Sequence, residues 1–216
     1  GFFMRAEFIL LPVAAYLIGA IPFGFLIGKL NGVDIRKVGS GNIGATNVTR
    51  SVGKTAGKIC FGCDFLKGLL PVLLTGLFLP QYPWLTLAVG LATLLGHIFP
   101  VYLKFKGGKG VATAAGVAMA MAPWPLLIGL AVWAGTFLAT RYVSLASIVA
   151  AAVVPVLAVI FRLCGVGNPV STSWITIGFL TLIALLAILR HIGNIARLLN
   201  GTENRFEKKK AQSEEK

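Results

Sequence analysis

The chain has 216 residues, of which 56% are hydrophobic and only 12% are charged, and its mean hydropathy is +0.84. A soluble fold of this length could not cover so much apolar surface, so we expect a polytopic membrane protein. The formal net charge is +13. Because the cations lie between apolar runs, we attribute them to basic loops beside a membrane and expect no nucleic-acid partner.

Seven apolar runs follow one another along the chain. They cover Phe8–Ile27, Ile59–Leu79, Trp84–Leu103, Val111–Ala122, Leu126–Thr140, Val143–Phe161 and Ser173–Leu189. About 20 helical residues cross a hydrocarbon core of roughly 30 Å, and five runs reach or approach that length. The fourth and fifth runs are short, and they form either thin spans or a re-entrant hairpin. We predict an all-α fold, one domain over residues 1–216, with seven transmembrane helices.

The basic residues predict the orientation of these helices. Cations cluster in 29–58, in 104–109, at Arg141 and from Arg190 onwards, and two crossings separate each cluster from the next. Only Arg5 and Arg162 fall on the other side, which leaves 18 of the 20 basic residues on one face if Lys67 is counted near the inner end of its run. By the positive-inside rule, the N-terminus lies outside and the C-terminus is cytoplasmic.

We expect no functional chemistry from either end of the chain or from the cysteines. Residues 1–3 precede Met4 and look like a remnant of cloning, and the highly charged residues 207–216 are expected to be disordered. Cys60 and Cys63 have C-x-x-C spacing, which can indicate redox chemistry or half of a zinc site. No second cysteine pair exists, so we expect helix packing there, with no metal and no cofactor.

The loop over residues 29–58 is longer than a connector needs to be and is rich in glycine and small polar residues. Glycine lets backbone N–H groups approach an anion, and arginine suits phosphate as a bidentate donor. The alternative is a flexible polar loop, but Ile43, Ala45 and Val48 alternate with polar residues and can pack. We expect a phosphorylated ligand to be bound by Ser40, Gly41, Asn42, Thr46, Asn47 and Arg50.

A second glycine-rich, basic segment precedes the apolar helix that begins at Val111. Exposed amides at a helix N-terminus, a glycine nest and lysine together form an anion cradle. The segment is not a Walker A loop, because Val111 stands where a hydroxyl would bind magnesium. The alternative is a basic turn that merely obeys the positive-inside rule. The candidate phosphate-binding residues here are Lys106, Gly107, Gly108, Lys109 and Gly110.

Polar residues also follow the last apolar run. His191, Asn194 and Arg197 recur at i,i+3 spacing and so line one stripe of a helix that leaves the membrane. His191 could serve as a base, an acid or a hydroxyl donor, although a lone interfacial histidine is more often solvated. Arg141 and Ser144 form a further cationic and hydroxyl-bearing patch.

Asp64 with Lys67, and His97, lie within apolar runs and can be explained by structural roles. Asp64 and Lys67, at i,i+3, form either an ion pair at the membrane edge or a support for the site, and His97 is expected to be helix-end packing. Several catalytic motifs are missing, including G-x-S-x-G, H-E-x-x-H, H-x4-D and a magnesium-binding carboxylate cluster. An enzyme without a strong base or a metal needs an activated substrate, and an acyl donor with a phosphate leaving group would fit.

In combination, these motifs resemble those of the bacterial acyl-phosphate-dependent glycerol-3-phosphate acyltransferases. Residues 40–47 with Arg50 look like the family's first motif, and residues 105–113 look like its second. The residues that look like its third motif are His191, Asn194, Arg197, Gly201 and Glu203. The resemblance covers the whole length and implies a seven-helix fold in the bacterial inner membrane, with the active site open to the cytoplasm.

The resemblance also implies the reaction. A fatty acyl group passes from acyl phosphate to the 1-hydroxyl of glycerol 3-phosphate, giving lysophosphatidic acid and phosphate in the first step of phospholipid synthesis. By this analogy Ser40, Arg50 and Lys109 hold phosphate groups, with the amides of Gly107 and Gly108 as further donors. His191 and Asn194 orient glycerol 3-phosphate. The family needs neither metal nor acyl-CoA, and a substrate phosphate accepts the hydroxyl proton.

A transporter of phosphate or of an organic phosphate is the alternative function. It predicts broken helices near the midplane and two related halves, whereas the polar motifs here cluster at one interface, which favours an enzyme. A membrane scaffold is a third candidate, and it leaves the motifs unexplained.

Overall fold

The computed structural model describes residues 6–167 and 171–206, and within these ranges the regular elements are all helical. The predictions for residues 1–3 and 207–216 lie outside the described residues. The helices are α1 Glu7–Ala20, α2 Phe23–Leu30, α3 Ala45–Ser51, α4 Lys54–Phe78, α5 Pro83–Ile98, α6 Val111–Met121, α7 Pro123–Thr140, α8 Val143–Leu163, α9 Trp174–Leu189 and α10 Ile192–Leu199. A 3₁₀ turn, Val101–Leu103, follows α5.

The first predicted apolar run overlaps α1 and α2, and each of the other six overlaps one helix from α4 to α9, so the all-helical membrane fold is confirmed. Among the described residues, five segments are long and apolar enough to cross a bilayer, and α9 with α10, bent by 56°, makes a sixth if counted as one span. The short run is α6, whose 11 residues extend only about 16 Å. The count of seven spans and the orientation therefore stay predictions.

The first predicted span is broken into two helices at Ile21 and Pro22. The residue before a proline is pushed out of the helical region, and Ile21 accordingly has ψ 115°. Prolines also start α5 and α7, at the first helical turn, where a missing N–H costs nothing. Only Ala122 separates the end of α6 from the start of α7.

Small residues bring two pairs of helices into close contact. A Cβ added at Gly19 of α1 would lie 2.1 Å from the Thr93 carbonyl oxygen of α5. Likewise, a Cβ at Gly116 of α6 would lie 2.1 Å from the carbonyl oxygen of Phe65 on α4. Close backbone approach of this kind stabilises helix pairs in membranes, where water provides no hydrophobic driving force. The α4–α6 contact fixes α6 and the glycine-rich segment in front of it.

The first loop is folded and not a flexible connector. Ile35, Ile43 and Val48 form a small separate core with Cys60 of α4, and each is at most 4% exposed. This packing confirms that the alternating apolar residues anchor the loop to the bundle. It also holds α3, a short helix outside the predicted runs, beside the start of α4.

Candidate active site

Most of the predicted site residues line one cavity of about 420 Å³. Its walls come from the first loop, from α3 to α8, from the α9–α10 junction and from residues 203–204. The predicted residues in its wall are Ser40, Asn42, Thr46, Asn47, Arg50, Lys109, Gly110, Ser144, His191, Asn194, Arg197 and Glu203. The predicted residues outside its wall are Gly41, Lys106, Gly107, Gly108 and Arg141.

Asn47 organises the first loop from inside. Its side chain is 1% exposed, its Nδ2 donates to the carbonyls of Ile35 (2.8 Å) and Val38 (3.1 Å), and its Oδ1 accepts the Ser40 amide (3.0 Å). Asn42 similarly accepts the Gly44 amide at 2.8 Å. These side-chain bonds fold the loop so that the exposed Ser40 reaches the mouth of the cavity.

Lys109 is one of the cations in the cavity wall. It follows Gly108 and precedes Gly110, whose φ of 82° turns the chain into α6. Its Nζ donates to Asn194 Oδ1, a contact between residues 85 positions apart. Burial lowers the pKa of Lys109 to about 8, Glu203 opposes this shift, and nearby arginines add to it. The Lys109 ammonium would attract a phosphate group bound at this position.

The glycines before Lys109 pack against the end of α5. The Gly108 amide donates to the His97 carbonyl at 3.2 Å, so it is already engaged and does not point a free donor into the cavity. A Cβ at Gly107 would lie 2.2 Å from the same carbonyl oxygen. Lys106 is exposed. The structure thus places His97 at a helix end, and its side chain also lines the cavity.

A hydrogen-bond network centred on Glu203 joins α8, α10 and the residues after α10 in the cavity wall. Its carboxylate is 5% exposed and accepts bonds from Ser144 (2.9 Å), Asn194 Nδ2 (2.7 Å) and Arg197 (2.8 Å). Burial raises the pKa of Glu203, but these bonds outweigh it and the net shift is downward. Because Nδ2 binds Glu203, the Asn194 amide is oriented with its oxygen towards Lys109.

His191 is buried at 3% exposure where α9 gives way to α10. Its Nδ1 lies 2.8 Å from the Ala187 carbonyl oxygen. A carbonyl only accepts, so Nδ1 carries the proton and, in the neutral ring, Nε2 is an acceptor. This tautomer allows His191 to accept a hydrogen bond from a hydroxyl group in the cavity.

Residues 201–206 fold back over the cavity as a strap. Arg50 donates to the Asn204 carbonyl at 3.1 Å, and its guanidinium lies 4.6 Å from the centre of the Phe206 ring. The Phe206 amide donates to the carbonyl of Arg141 at 3.0 Å, which ties the strap to the α7–α8 turn. Sequence reasoning missed Asn204 and Phe206, and an aromatic residue inside a charged tail was the one available signal.

An apolar crevice of about 80 Å³ adjoins the polar cavity. It runs between α6, α7, α8 and α9 and is lined mainly by alanine, leucine and valine. The residues that line both spaces are Val111, Ala115, Leu130, Trp133 and Ser147. Trp133 and Ser147 are joined by a 3.1 Å hydrogen bond. The site can therefore hold an anionic group at one end and a hydrocarbon chain at the other.

Comparison with known proteins identifies the family. A family model described as glycerol-3-phosphate acyltransferase matches residues 9–201. The glycerol-3-phosphate acyltransferase of Aquifex aeolicus (strain VF5) is 49% identical over 203 residues, which are 94% of this chain and 100% of that protein. The chain belongs to the glycerol-3-phosphate acyltransferase family.

Other members of the glycerol-3-phosphate acyltransferase family agree in sequence and in structure. The relative from Geobacter sulfurreducens is 46% identical over 92% of this chain and 97% of its own length. Crystal structures of PlsY, an integral membrane glycerol 3-phosphate acyltransferase, match with TM-scores of 0.84 for the glycerol 3-phosphate form and 0.82 for the lysophosphatidic acid form. These matches have 46% and 45% identity and cover 93% of this chain and 96% of PlsY. The family suggested by the motifs is thereby confirmed.

Proposed function

We propose that the chain transfers a fatty acyl group from acyl phosphate to the 1-hydroxyl of glycerol 3-phosphate, releasing lysophosphatidic acid and phosphate. The observation that carries this proposal is the composite site, in which a cationic cavity shares five wall residues with an apolar crevice. Family membership supports the acyltransferase reaction and gives no support to the transporter alternative.

The polar end binds the two phosphorylated groups. Arg50, Lys109 and Arg197 neutralise them, and Ser40 with Thr46 donates hydroxyl bonds, since all five line the cavity. The predicted residues outside the cavity wall act through loop shape and long-range charge; they are Gly41, Lys106, Gly107, Gly108 and Arg141. Neutralising two anions that must approach one another is itself a large part of the catalytic task.

The acyl chain lies in the crevice between α6 and α9. Each methylene removed from water there contributes about 0.8 kcal/mol, so the chain supplies much of the binding energy of the donor. Trp133 and Ser147 line both spaces, which supports a position for the carbonyl end of the chain at the border of the polar cavity. The reacting groups then meet beside Lys109 and His191.

The reaction needs no base from the protein. The substrate hydroxyl oxygen forms a bond to the acyl carbon, the bond from that carbon to the phosphate oxygen breaks, and the leaving phosphate takes the hydroxyl proton. His191 orients the hydroxyl through its unprotonated Nε2, and Asn194 holds Lys109 in place. His191→Gln, which retains hydrogen bonding, therefore keeps a residual rate. Complete loss of chemistry with intact binding would make His191 the general base.

The protein acts in the bacterial inner membrane with this cavity open to the cytoplasm. The support is the charge distribution, because 18 of the 20 cations fall on the face that carries all three motifs. Seven crossings with the N-terminus outside give that arrangement.

The donor is tested with purified protein in a metal-chelating buffer. Glycerol 3-phosphate is supplied with either acyl phosphate or acyl-CoA of the same chain length, and lysophosphatidic acid is measured by mass spectrometry. We expect product from acyl phosphate alone, undiminished by EDTA. Product from acyl-CoA alone, or a rate restored only by added Mg²⁺, would contradict the proposal.

A further inference from the structure

A buried charged cluster lies in the wall of the polar cavity, and the proposed reaction does not use it. Asp64 and Lys67 on α4 and His97 on α5 are each at most 5% exposed. Asp64 Oδ1 lies 2.7 Å from Lys67 Nζ and 3.6 Å from His97 Nδ1. Ionisable groups inside a membrane protein are costly to bury, so their retention points to a role.

One end of the cluster is tied to the helix break between α1 and α2. Lys67 Nζ donates to the Ile21 carbonyl at 2.8 Å, in addition to its pairing with Asp64. Asp64 also accepts a long bond from the Cys60 thiol at 3.7 Å. The carboxylate is therefore held by two side chains of its own helix, Lys67 and Cys60, and its Oδ1 faces His97 on α5.

The other end of the cluster touches the glycine-rich segment. A Cβ added at Gly108 would lie 2.2 Å from His97 Nε2, and its next two neighbours, both at 3.1 Å, are other atoms of the same imidazole ring. The His97 carbonyl meanwhile accepts the Gly108 amide. The ring and the backbone of His97 thus hold Gly108 from two directions, and the next residue is Lys109.

We propose that His97, steadied by Asp64, is a positioning residue that fixes the segment Lys106–Gly110 so that the Lys109 ammonium meets the substrate phosphate. This inference rests on the proposed role of Lys109 in phosphate binding. A segment with three glycines has large conformational freedom, and contacts on Gly108 restrict it. A displacement of about 1 Å at a reacting site can cost as much as a hundredfold in rate.

The steric fit provides a specific test, a double-mutant cycle on the KM for glycerol 3-phosphate. Gly108→Ala places a methyl group where the His97 imidazole lies, whereas His97→Ala leaves that space empty. Because the φ of Gly108 is not positive, alanine fits the backbone at this position. We expect each single variant to raise KM by on the order of tenfold or more. In the double variant the methyl occupies the vacated space, so its KM lies well below the product of the two effects. Effects that simply multiply would overturn the proposal.

Controls separate positioning from general damage to the core. Thr93→Val removes a buried hydroxyl one turn away on α5, where it bonds the Val89 carbonyl, and should leave KM unchanged. An equal rise in that variant would overturn the proposal. If His97→Ala does not fold, as judged by thermal unfolding, His97→Asn takes its place in the cycle.

The Lys109→Ala background separates this inference from the proposed phosphate site. There, His97→Ala should raise KM no further, because the residue it positions is gone. If Lys109→Ala raises KM and His97→Ala still adds its full effect, the positioning role fails while the phosphate site stands. If Lys109→Ala leaves KM unchanged, the phosphate site and the positioning role fail together.

Discussion

At the scale of single residues, the cavity is dominated by a few cations whose charge is held in place by neutral partners. Lys109 is bound to Asn194, and Arg50 to the backbone of the strap and the ring of Phe206. Burial lowers the pKa of both cations, although Glu203 opposes the shift. A bound phosphate would reverse this shift, and the free energy of that reversal contributes to substrate affinity.

Removing either cation should weaken the binding of phosphorylated substrates without unfolding the protein. A charge-assisted contact is worth about 1.5–3 kcal/mol, so Arg50→Ala and Lys109→Ala should each lower kcat/KM roughly tenfold to a hundredfold. Steady-state kinetics with glycerol 3-phosphate measures the effect. Lys58→Ala, which removes an exposed cation from α4, is the matched control and should behave like the wild type. If Arg50→Ala and Lys109→Ala had the same kcat/KM as the wild type and the control, these cations would only set the membrane orientation.

The depressed pKa of Lys109 predicts a limit at high pH. The ammonium is charged below its pKa, so kcat/KM for glycerol 3-phosphate should fall as the pH rises through about 8. Lys109→Arg should lose this limb, because a guanidinium stays protonated in that range. The measurement is a pH profile of kcat/KM for both proteins. An identical alkaline limb in the two profiles would assign it to another group.

At the scale of elements, the strap over residues 201–206 and the helix α10 complete a site that the membrane helices leave open. Gly201, with φ 70°, ends α10 and turns the chain back. Glu203 then reaches Ser144 on α8 and Asn194 on α10, while Phe206 meets Phe137 on α7 edge to face at 5.8 Å. The strap thereby links three helices at the cavity mouth.

The aromatic end of the strap should contribute modestly to substrate binding. Phe206→Ala removes the ring that faces Arg50, and a cation–π contact is worth about 0.5–1 kcal/mol, so KM should rise roughly two- to fivefold. Phe206→Tyr keeps the ring and should retain the wild-type KM. Substrate titrations on both variants decide the point, and an unchanged KM in Phe206→Ala would remove the strap from the binding site.

The sequence predicts the apolar helices well and the contacts between them poorly. Hydropathy locates α4, α5, α8 and α9 to within a few residues, because a bilayer demands long apolar runs. Hydropathy does not show that the first apolar run divides into two helices at Pro22. It does not locate α3 either, because local packing and not hydropathy stabilises so short a helix.

The same contrast holds for the site. Glycines on both sides of Lys109, and a loop rich in glycine before Arg50, indicate anion binding from residue type alone, and the cavity gathers both cations. By contrast, Asn47 turns its polar atoms onto the loop backbone, and the Gly108 amide is engaged by His97. Such pairings join residues far apart in the chain, and no local pattern encodes them.

At the scale of the whole molecule, an apolar exterior encloses a polar cavity. The described helices expose many large apolar side chains, as a surface facing lipid requires. Residues of all three motifs line the polar cavity, and the apolar crevice adjoins it. A substrate that is anionic at one end and apolar at the other can bind there without leaving the membrane.

The proposed orientation is tested by labelling cysteines in intact cells. Lys37→Cys lies in the first loop, and Gln81→Cys lies in the uncharged turn between α4 and α5; both positions are exposed. With the native cysteines replaced, a reagent that cannot cross the membrane should label position 81 in intact cells and position 37 only after permeabilisation. The reverse labelling pattern would show that the protein has the opposite orientation in the membrane.

The most direct test of the composite site compares acyl phosphates of two chain lengths. Ala151→Leu adds bulk to the wall of the crevice, whereas Ala152→Leu adds the same bulk to the next, exposed residue on α8. With purified protein and glycerol 3-phosphate, Ala151→Leu should lower kcat/KM for the long-chain donor several-fold more than for the short-chain donor, at about 0.8 kcal/mol per methylene excluded. Ala152→Leu should change neither. If Ala151→Leu affects both donors equally, or not at all, the acyl chain does not lie in this crevice and the account of the site is wrong.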